Sequence, residues 1–211
     1  MPGDLTILYI FQTKVRIHQL AGVDMALNQW MHSRNPYKVA PDFKAMAVTF
    51  PAFRKFVKQD ITGAVKLDFA NPEALACLAM TLFKKDFDLD VEVPSTGLIP
   101  TLPSRLNYLL WVEDLLSLLP GYPDKIKGLD IGTGATAVYP LLASKHLGWS
   151  MLASEANLES LATARENVAR NKLEGYVTIE GVEDGELLKA IVNRHKDQKL
   201  HFSMCNPPFY R

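Results

Sequence analysis

Cysteine is nearly absent from this chain: two residues in 211, Cys77 and Cys205. Two thiols make neither a disulfide framework nor a Cys-x-x-Cys metal pair, so a reducing compartment is the default. No sign of charge dominates either, with 23 Lys+Arg against 23 Asp+Glu. Global electrostatics therefore imply neither a nucleic-acid nor an acidic partner. No apolar run approaches the roughly 20 residues of a membrane span. The longest early run, 5-LTILYIF-11, follows an acid, Asp4. It lacks the basic segment before it and the small-residue cleavage site after it that a signal peptide needs. Internal repeats and low-complexity tracts are missing as well. What remains is 48% hydrophobic, enough for one ordinary domain and a smaller appendage.

The distribution of charge says more than the total. From residue 25 to 66 the bases are Arg34, Lys38, Lys44, Arg54, Lys55, Lys58 and Lys66, against the acids Asp42 and Asp60. From residue 67 to 124 the balance reverses, with nine acids against three bases. A basic segment thus precedes an acidic one, either as solvated helix faces or as a local phosphate-binding surface. The mixed aromatic spacing of 42–57, broken at Pro51, predicts two short helices. A clearer helix is expected over 72–87, with Pro72 and Glu73 in its first turn and Lys84 and Lys85 in its last. Alternation in 89-LDVEV-93 predicts a short strand. Pro94, Gly97, Pro100 and Pro103 then form a stiff connector, and the domain boundary is placed there. A helix is expected over 104–121, capped by Ser104 and stopped by Pro120-Gly121.

Beyond that helix the period changes. Strand-like runs at 126–131, 149–154, 176–182 and 201–205 alternate with helical runs at 135–147, 157–173 and 185–195. Such alternation predicts an α/β fold with a parallel sheet and crossover helices.

Two places in this series carry chemistry. In 129-LDIGTGATAVYP-140 a strand meets Gly132-Thr133-Gly134 and a helix follows. Glycines let a ligand approach the backbone, and the helix start offers unpaired N–H groups. A tight strand–helix turn would look the same, and so would several nucleotide-binding families. Ala137 stands where a dinucleotide fingerprint has its third glycine. Asp130 would repel a pyrophosphate but attract a cationic amino or sulfonium group. Glu155 ends the next strand about 20 residues on, where an acid can accept both ribose hydroxyls.

The second place is Asn206-Pro207-Pro208-Phe209, at the end of the last strand. Ligands bind outside the carboxyl ends of parallel strands. Prolines fix φ and hold the Asn206 amide and the Pro207 carbonyl in one pose. Two acceptors aimed at one point complement an –NH2 group, and Phe209 offers a ring face for a planar base. The plainer alternative is a proline-terminated edge strand with a buried Phe. At the end of a series that opens with D-x-G-x-G, the ligand reading is the better supported.

These stretches, with 31-MHSRNPYK-38, 41-PDF-43, 98-LIPTLPSRLNYLLWVEDLL-116, 153-ASE-155 and 204-MCNPPF-209, resemble the methyltransferase-like protein 16 family of RNA N6-adenosine methyltransferases. The bacterial relatives are the ribosomal RNA large-subunit methyltransferase F enzymes. The resemblance covers residues 25–211. It implies a Rossmann-like class I methyltransferase fold, S-adenosyl-L-methionine as cofactor, and structured RNA as partner, with U6 small nuclear RNA and messenger RNA hairpins as the family's substrates. It implies a nuclear or partly cytoplasmic enzyme, with no membrane partner and no metal. Carried over by position, Arg105 would face the cofactor's methionine carboxylate. Asp130, Gly132, Thr133, Gly134 and Thr136 would line the loop. Glu155 would hold the ribose, and Asn206 to Phe209 the adenine, with Asn206 at the cofactor as well. Arg34, Lys38, Lys55 and Lys58 become expected RNA contacts. At Glu186 the family can show a cofactor-contacting threonine, so no role is carried to that position.

The resemblance divides the chain into an unmatched extension, 1–24, a basic RNA-binding module, 25–100, and a partial methyltransferase domain, 101–211. A sheet of this class has seven strands, and only its first four are expected here. The chain therefore reads as a fragment, a truncated isoform or an incomplete gene model, with residues 1–24 as translated leader. An incomplete sheet leaves an open edge, so a poorly soluble, inactive chain is expected. Three rival readings remain: a protein glutamine N5-methyltransferase, whose amide asks the same geometry of N-P-P-F; a non-catalytic RNA-binding isoform; and a nicotinamide oxidoreductase.

Overall fold

A computed structural model describes residues 9–11, 31–183, 185 and 187–207. They fall into two compact units, residues 31–115 and residues 9–11 with 116–207.

The first unit begins with a short 3₁₀ turn, Pro36–Lys38, and continues through α1 (Phe43–Thr49) and α2 (Pro51–Arg54). Asp42 caps α1 by accepting the N–H groups of Lys44 and Ala45, and Pro51 starts α2 where a missing N–H costs nothing. The expected helix over 72–87 is α3 (Pro72–Phe87), capped by Asn71. The rings of Phe43 and Phe53 meet edge to face at 5.6 Å, and Phe53 and Phe83 are fully buried. One expectation fails in this unit, and one element was not foreseen. No strand forms at 89–93: Leu89, Val91 and Val93 are buried, but the segment pairs with no ladder. Burying every second residue of an extended chain produces alternation without a sheet. In contrast, an antiparallel hairpin, β2 (Val57–Gln59) with β3 (Val65–Leu67), was not anticipated. Its turn depends on Asp60 and Gly63, whose signal is short.

Helix α4 (Leu102–Ser117) starts two residues before Ser104 and ends three residues before Pro120. Pro103 occupies its first turn, which makes Ser104 an interior residue rather than the cap. The unit boundary falls within α4, at 115/116.

In the second unit β4 (Lys127–Ile131), β5 (Ser150–Glu155), β6 (Val177–Gly181) and β7 (Phe202–Cys205) alternate with α5 (Val138–Leu147), α6 (Leu158–Arg170) and α7 (Leu187–Arg194). All strand pairs in this sheet are parallel. Among the described residues the sheet has five strands, in the order β1-β7-β4-β5-β6. The additional one, β1 (Tyr9–Phe11), comes from the segment read as leader and covers the outer edge of β7. Leu129, Leu152, Val182 and Ile191 form a core shared by the sheet and α7. Helix α5 begins three residues later than expected, because Ala137 adopts φ 49° and turns the chain first.

The edge of Gly128 is occupied by the ring of Phe202: a Cβ there would lie 2.2 Å from its Cζ. Phe202 in turn meets Trp149 at 5.2 Å between ring centres. Gly128→Ala should therefore destabilise the fold by about 1–3 kcal/mol, the usual cost of overpacking, read as a lower urea midpoint.

Glu180, on β6, accepts from Arg194 at 2.9 Å and pairs with His195. Burial pushes its carboxyl up, but the hydrogen bonds from Arg194 and His195 outweigh it and leave the group below its ordinary 4.5. A lowered carboxyl stabilises the fold above that ordinary value and loses the effect as pH falls through the folded value. Glu180→Gln should lower the urea midpoint at neutral pH, and the difference from the parent chain should shrink as pH falls below the ordinary carboxyl value.

Candidate cofactor and base site

The chain runs β4, β5, β6 outward on one side and returns to β7 on the other side of β4. The strand order reverses between β4 and β7, and open α/β sheets bind ligands in the crevice at such a point. Ile131 pairs with Cys205 in the last register position. Gly132 and Asn206 thus leave the sheet side by side.

Gly132 and Gly134 both hold left-handed backbone, at φ 71° and 70°. A Cβ on either would meet nothing within 4 Å. Their faces open onto free space, and their need for glycine is conformational. Thr133 N–H donates to the Ser154 carbonyl at 2.9 Å, which ties the turn to the end of β5. Glu155 supplies the main restraint. Its Oε2 accepts the Gly134 N–H at 2.7 Å. Its Oε1 accepts the N–H groups of Ala156 and Asn157 at 3.0 and 2.9 Å. Asp130 is buried beneath the turn at 1% exposure, and Thr136 is buried within it. Burial, and then the charge of Asp130, push the half-buried Cys205 thiol up, so it stays protonated.

Asn167, on α6, was missed by sequence reasoning. It is fully buried and donates to the Ala135 carbonyl at 3.3 Å, while its own oxygen accepts from Arg170 at 3.0 Å. A signal existed: Asn167 lies on the apolar stripe of Leu161, Ala164 and Val168. A polar residue on such a stripe needs a partner.

The second unit therefore brings together Asp130, Gly132, Thr133, Gly134, Thr136, Glu155, Asn206 and Pro207. Asn206 is half-buried and Pro207 exposed; Pro208, Phe209 and Glu186 lie outside the described residues. Arg105 lies in the first unit, buried in α4. Arg34, also in that unit, is held by carboxylates: its guanidinium pairs with Glu113 and with Asp114. His32 joins them, with Nε2 2.7 Å from Asp114. The side-chain bond to Glu113 comes first among the causes that raise Arg34. Lys38, Lys55 and Lys58 are exposed. Among the described residues there is no group of three His, Cys, Asp or Glu that could hold a metal. None of the described helices is long and apolar enough to cross a membrane.

The Methyltransf_10 family, described as RNA methyltransferase, matches residues 25–211. The chain belongs to this family. A U6 small nuclear RNA (adenine-(43)-N(6))-methyltransferase of Caenorhabditis briggsae is 40% identical over 189 residues, 88% of this chain and 39% of the relative. This chain thus spans about two fifths of that relative. The fold agrees too. The N-terminal domain of human METTL16 in complex with SAH superposes with a TM-score of 0.79 at 40% identity, over 85% of this chain and 70% of that one. The human catalytic domain in complex with the MAT2A 3′UTR hairpin 6 gives 0.76 at 40% identity, over 85% and 60%. The α/β methyltransferase fold of the family is present here, with β4, β5, β6 and β7 as its parallel core.

Glu155→Ala removes an acceptor from three backbone N–H groups. Charge-assisted bonds of this kind are worth about 1.5–3 kcal/mol each when lost. The variant should melt at lower temperature, and hydrogen exchange at Gly134 and Asn157 should accelerate ahead of the core of β4.

Proposed function

We propose that this chain is the cofactor- and base-binding part of an S-adenosylmethionine-dependent RNA N6-adenosine methyltransferase. Its substrates would be structured RNA of the kind its relatives are named for, U6 small nuclear RNA and messenger RNA hairpins, which puts the reaction in the nucleus. One observation carries the reading: a D-x-G-x-G turn clamped by Glu155 opens beside Asn206 at the point where the strand order reverses.

The residues fit the cofactor. The hydroxyls of Thr133 and Ser154 are buried beside the turn and find no partner among the described residues. The two glycine faces are open. Glu155 would accept the ribose hydroxyls, the turn from Gly132 to Thr136 would hold the cofactor, and Asp130 would supply negative charge to it. The role of Arg105 rests on the family resemblance. When bound, S-adenosylmethionine supplies an electrophilic methyl group.

The chain's own residues present the amine. The Asn206 side-chain oxygen accepts one N–H of the adenine amino group, and the Pro207 carbonyl accepts the other. Accepting both hydrogens draws the nitrogen lone pair out of conjugation with the ring. The prolines hold the two acceptors in a fixed pose, so little reorganisation accompanies reaction. The role of Phe209, as the ring on which the base would stack, rests on the family resemblance. No general base is needed beforehand, since the proton leaves after the nitrogen has become cationic.

Asn206→Ala should lower single-turnover methyl transfer to a U6-type hairpin by about 10²–10³, the usual loss for one preorganised polar partner. Glu155→Ala should instead weaken S-adenosylhomocysteine binding in calorimetry. Methyl transfer unchanged in Asn206→Ala would overturn this assignment.

A further inference from the structure

The hairpin β2–β3 is a sheet of its own. Lys58 and Lys66 stand directly opposite one another across the ladder, both exposed. Like charges so placed destabilise a hairpin. Asp60 offsets one of them, its Oδ2 lying 2.9 Å from the Lys66 ammonium. Lys58 makes no ion pair among the described residues. The turn joining the strands is pinned by the same aspartate. Its Oδ1 accepts the N–H groups of Thr62 and Ala64 at 2.9 and 3.1 Å, and the Thr62 hydroxyl. The Thr62 and Lys66 bonds hold this carboxyl well below its ordinary range.

The hairpin frames an open cleft of about 320 Å³, lined by Phe56, Lys58, Asp60, Lys66 and Asp68 among others. Phe56 is half-buried and lines the cleft. An aromatic surface beside two ammonium groups matches a nucleotide: the base stacks on the ring and the phosphate meets the cations. The pinned turn means little ordering accompanies binding. Asp60 and Asp68 add acceptors, Asp68 already bonding the Ala70 N–H at 2.9 Å.

We propose that this cleft receives one unpaired nucleotide of the RNA, its base on Phe56 and its phosphate on Lys58 and Lys66. The proposal rests on the RNA-methyltransferase reading above. It extends the basic-segment expectation, which counted Lys66 among its bases and named Lys58 as an RNA contact, but did not include Phe56. Two lysines face two aspartates, so the contact is weak alone and sensitive to salt. It positions one point of a longer RNA interface rather than binding a free mononucleotide.

The test uses the full 211-residue chain and a fluorescein-labelled hairpin RNA with an unpaired loop, read by anisotropy across a salt series. Phe56→Leu keeps an apolar side chain but removes the stacking plane, and should weaken binding about five- to tenfold. Phe56→Trp should restore it. Lys58→Ala with Lys66→Ala should lower the slope of log affinity against log salt by about 1. Melting temperature and S-adenosylhomocysteine affinity should stay at parental values in all three. If the parent chain binds the hairpin and the variants bind equally well, the cleft assignment is wrong while the RNA reading stands. If the parent binds no hairpin RNA at any salt, both readings fall.

Discussion

Glu155 holds the glycine turn to the segment that follows β5. One oxygen takes the N–H of Gly134, and the other takes the first two N–H groups after β5. Ionised carboxylates accept such bonds strongly, and a buried N–H left without a partner is costly. The glycine turn therefore has one favourable position relative to the end of β5. Everything proposed for the site inherits that position. Gly132 and Gly134 can expose their backbone because Glu155 and Asn167 hold the turn from outside, and the Thr133 N–H is used by Ser154.

A similar economy governs the other unit. Two of the stretches that carry the family resemblance, 31–38 and 98–116, bind one another. Asn35 donates to the Pro103 carbonyl, the His32 N–H donates to Asn107, and Arg34 and His32 meet Glu113 and Asp114. Asn35 is buried while Arg34 is half-exposed. The polar residues of these motifs thus have structural work. Arg34, expected as a phosphate contact, spends its guanidinium on two carboxylates. A cation so paired contributes less to an RNA surface than Lys58, which makes no ion pair among the described residues.

Legibility followed the range of the interaction. The four core strands, their intervening helices and α3 were readable because burial periodicity and caps such as Asn71 and Asn157 act within a few residues. Helix starts were less so. Ser104 looked like a cap, but Pro103 already lies inside α4, and α5 waits for Ala137 to turn. The strand expected at 89–93 was a buried extended segment, since alternation records burial on one side and not pairing. The hairpin escaped notice because each strand spans three residues, too few for a periodic pattern.

The sequence by itself determined the chemistry of the site. An acid, two glycines, a second acid and an amide before proline each carry their function in their own covalent structure, and their spacing along alternating strands says which end of the sheet they share. Only the tertiary structure decided how they are used. That Gly132 and Asn206 emerge together follows from β7 returning beside β4, a choice made by long-range strand pairing. That Tyr9–Phe11 lies along β7 rather than apart from the fold follows from the need of a strand edge for hydrogen-bond partners. Which cations remain available to a phosphate depends on which carboxylates the packing brings to them, and charge counted along the chain carries no record of that.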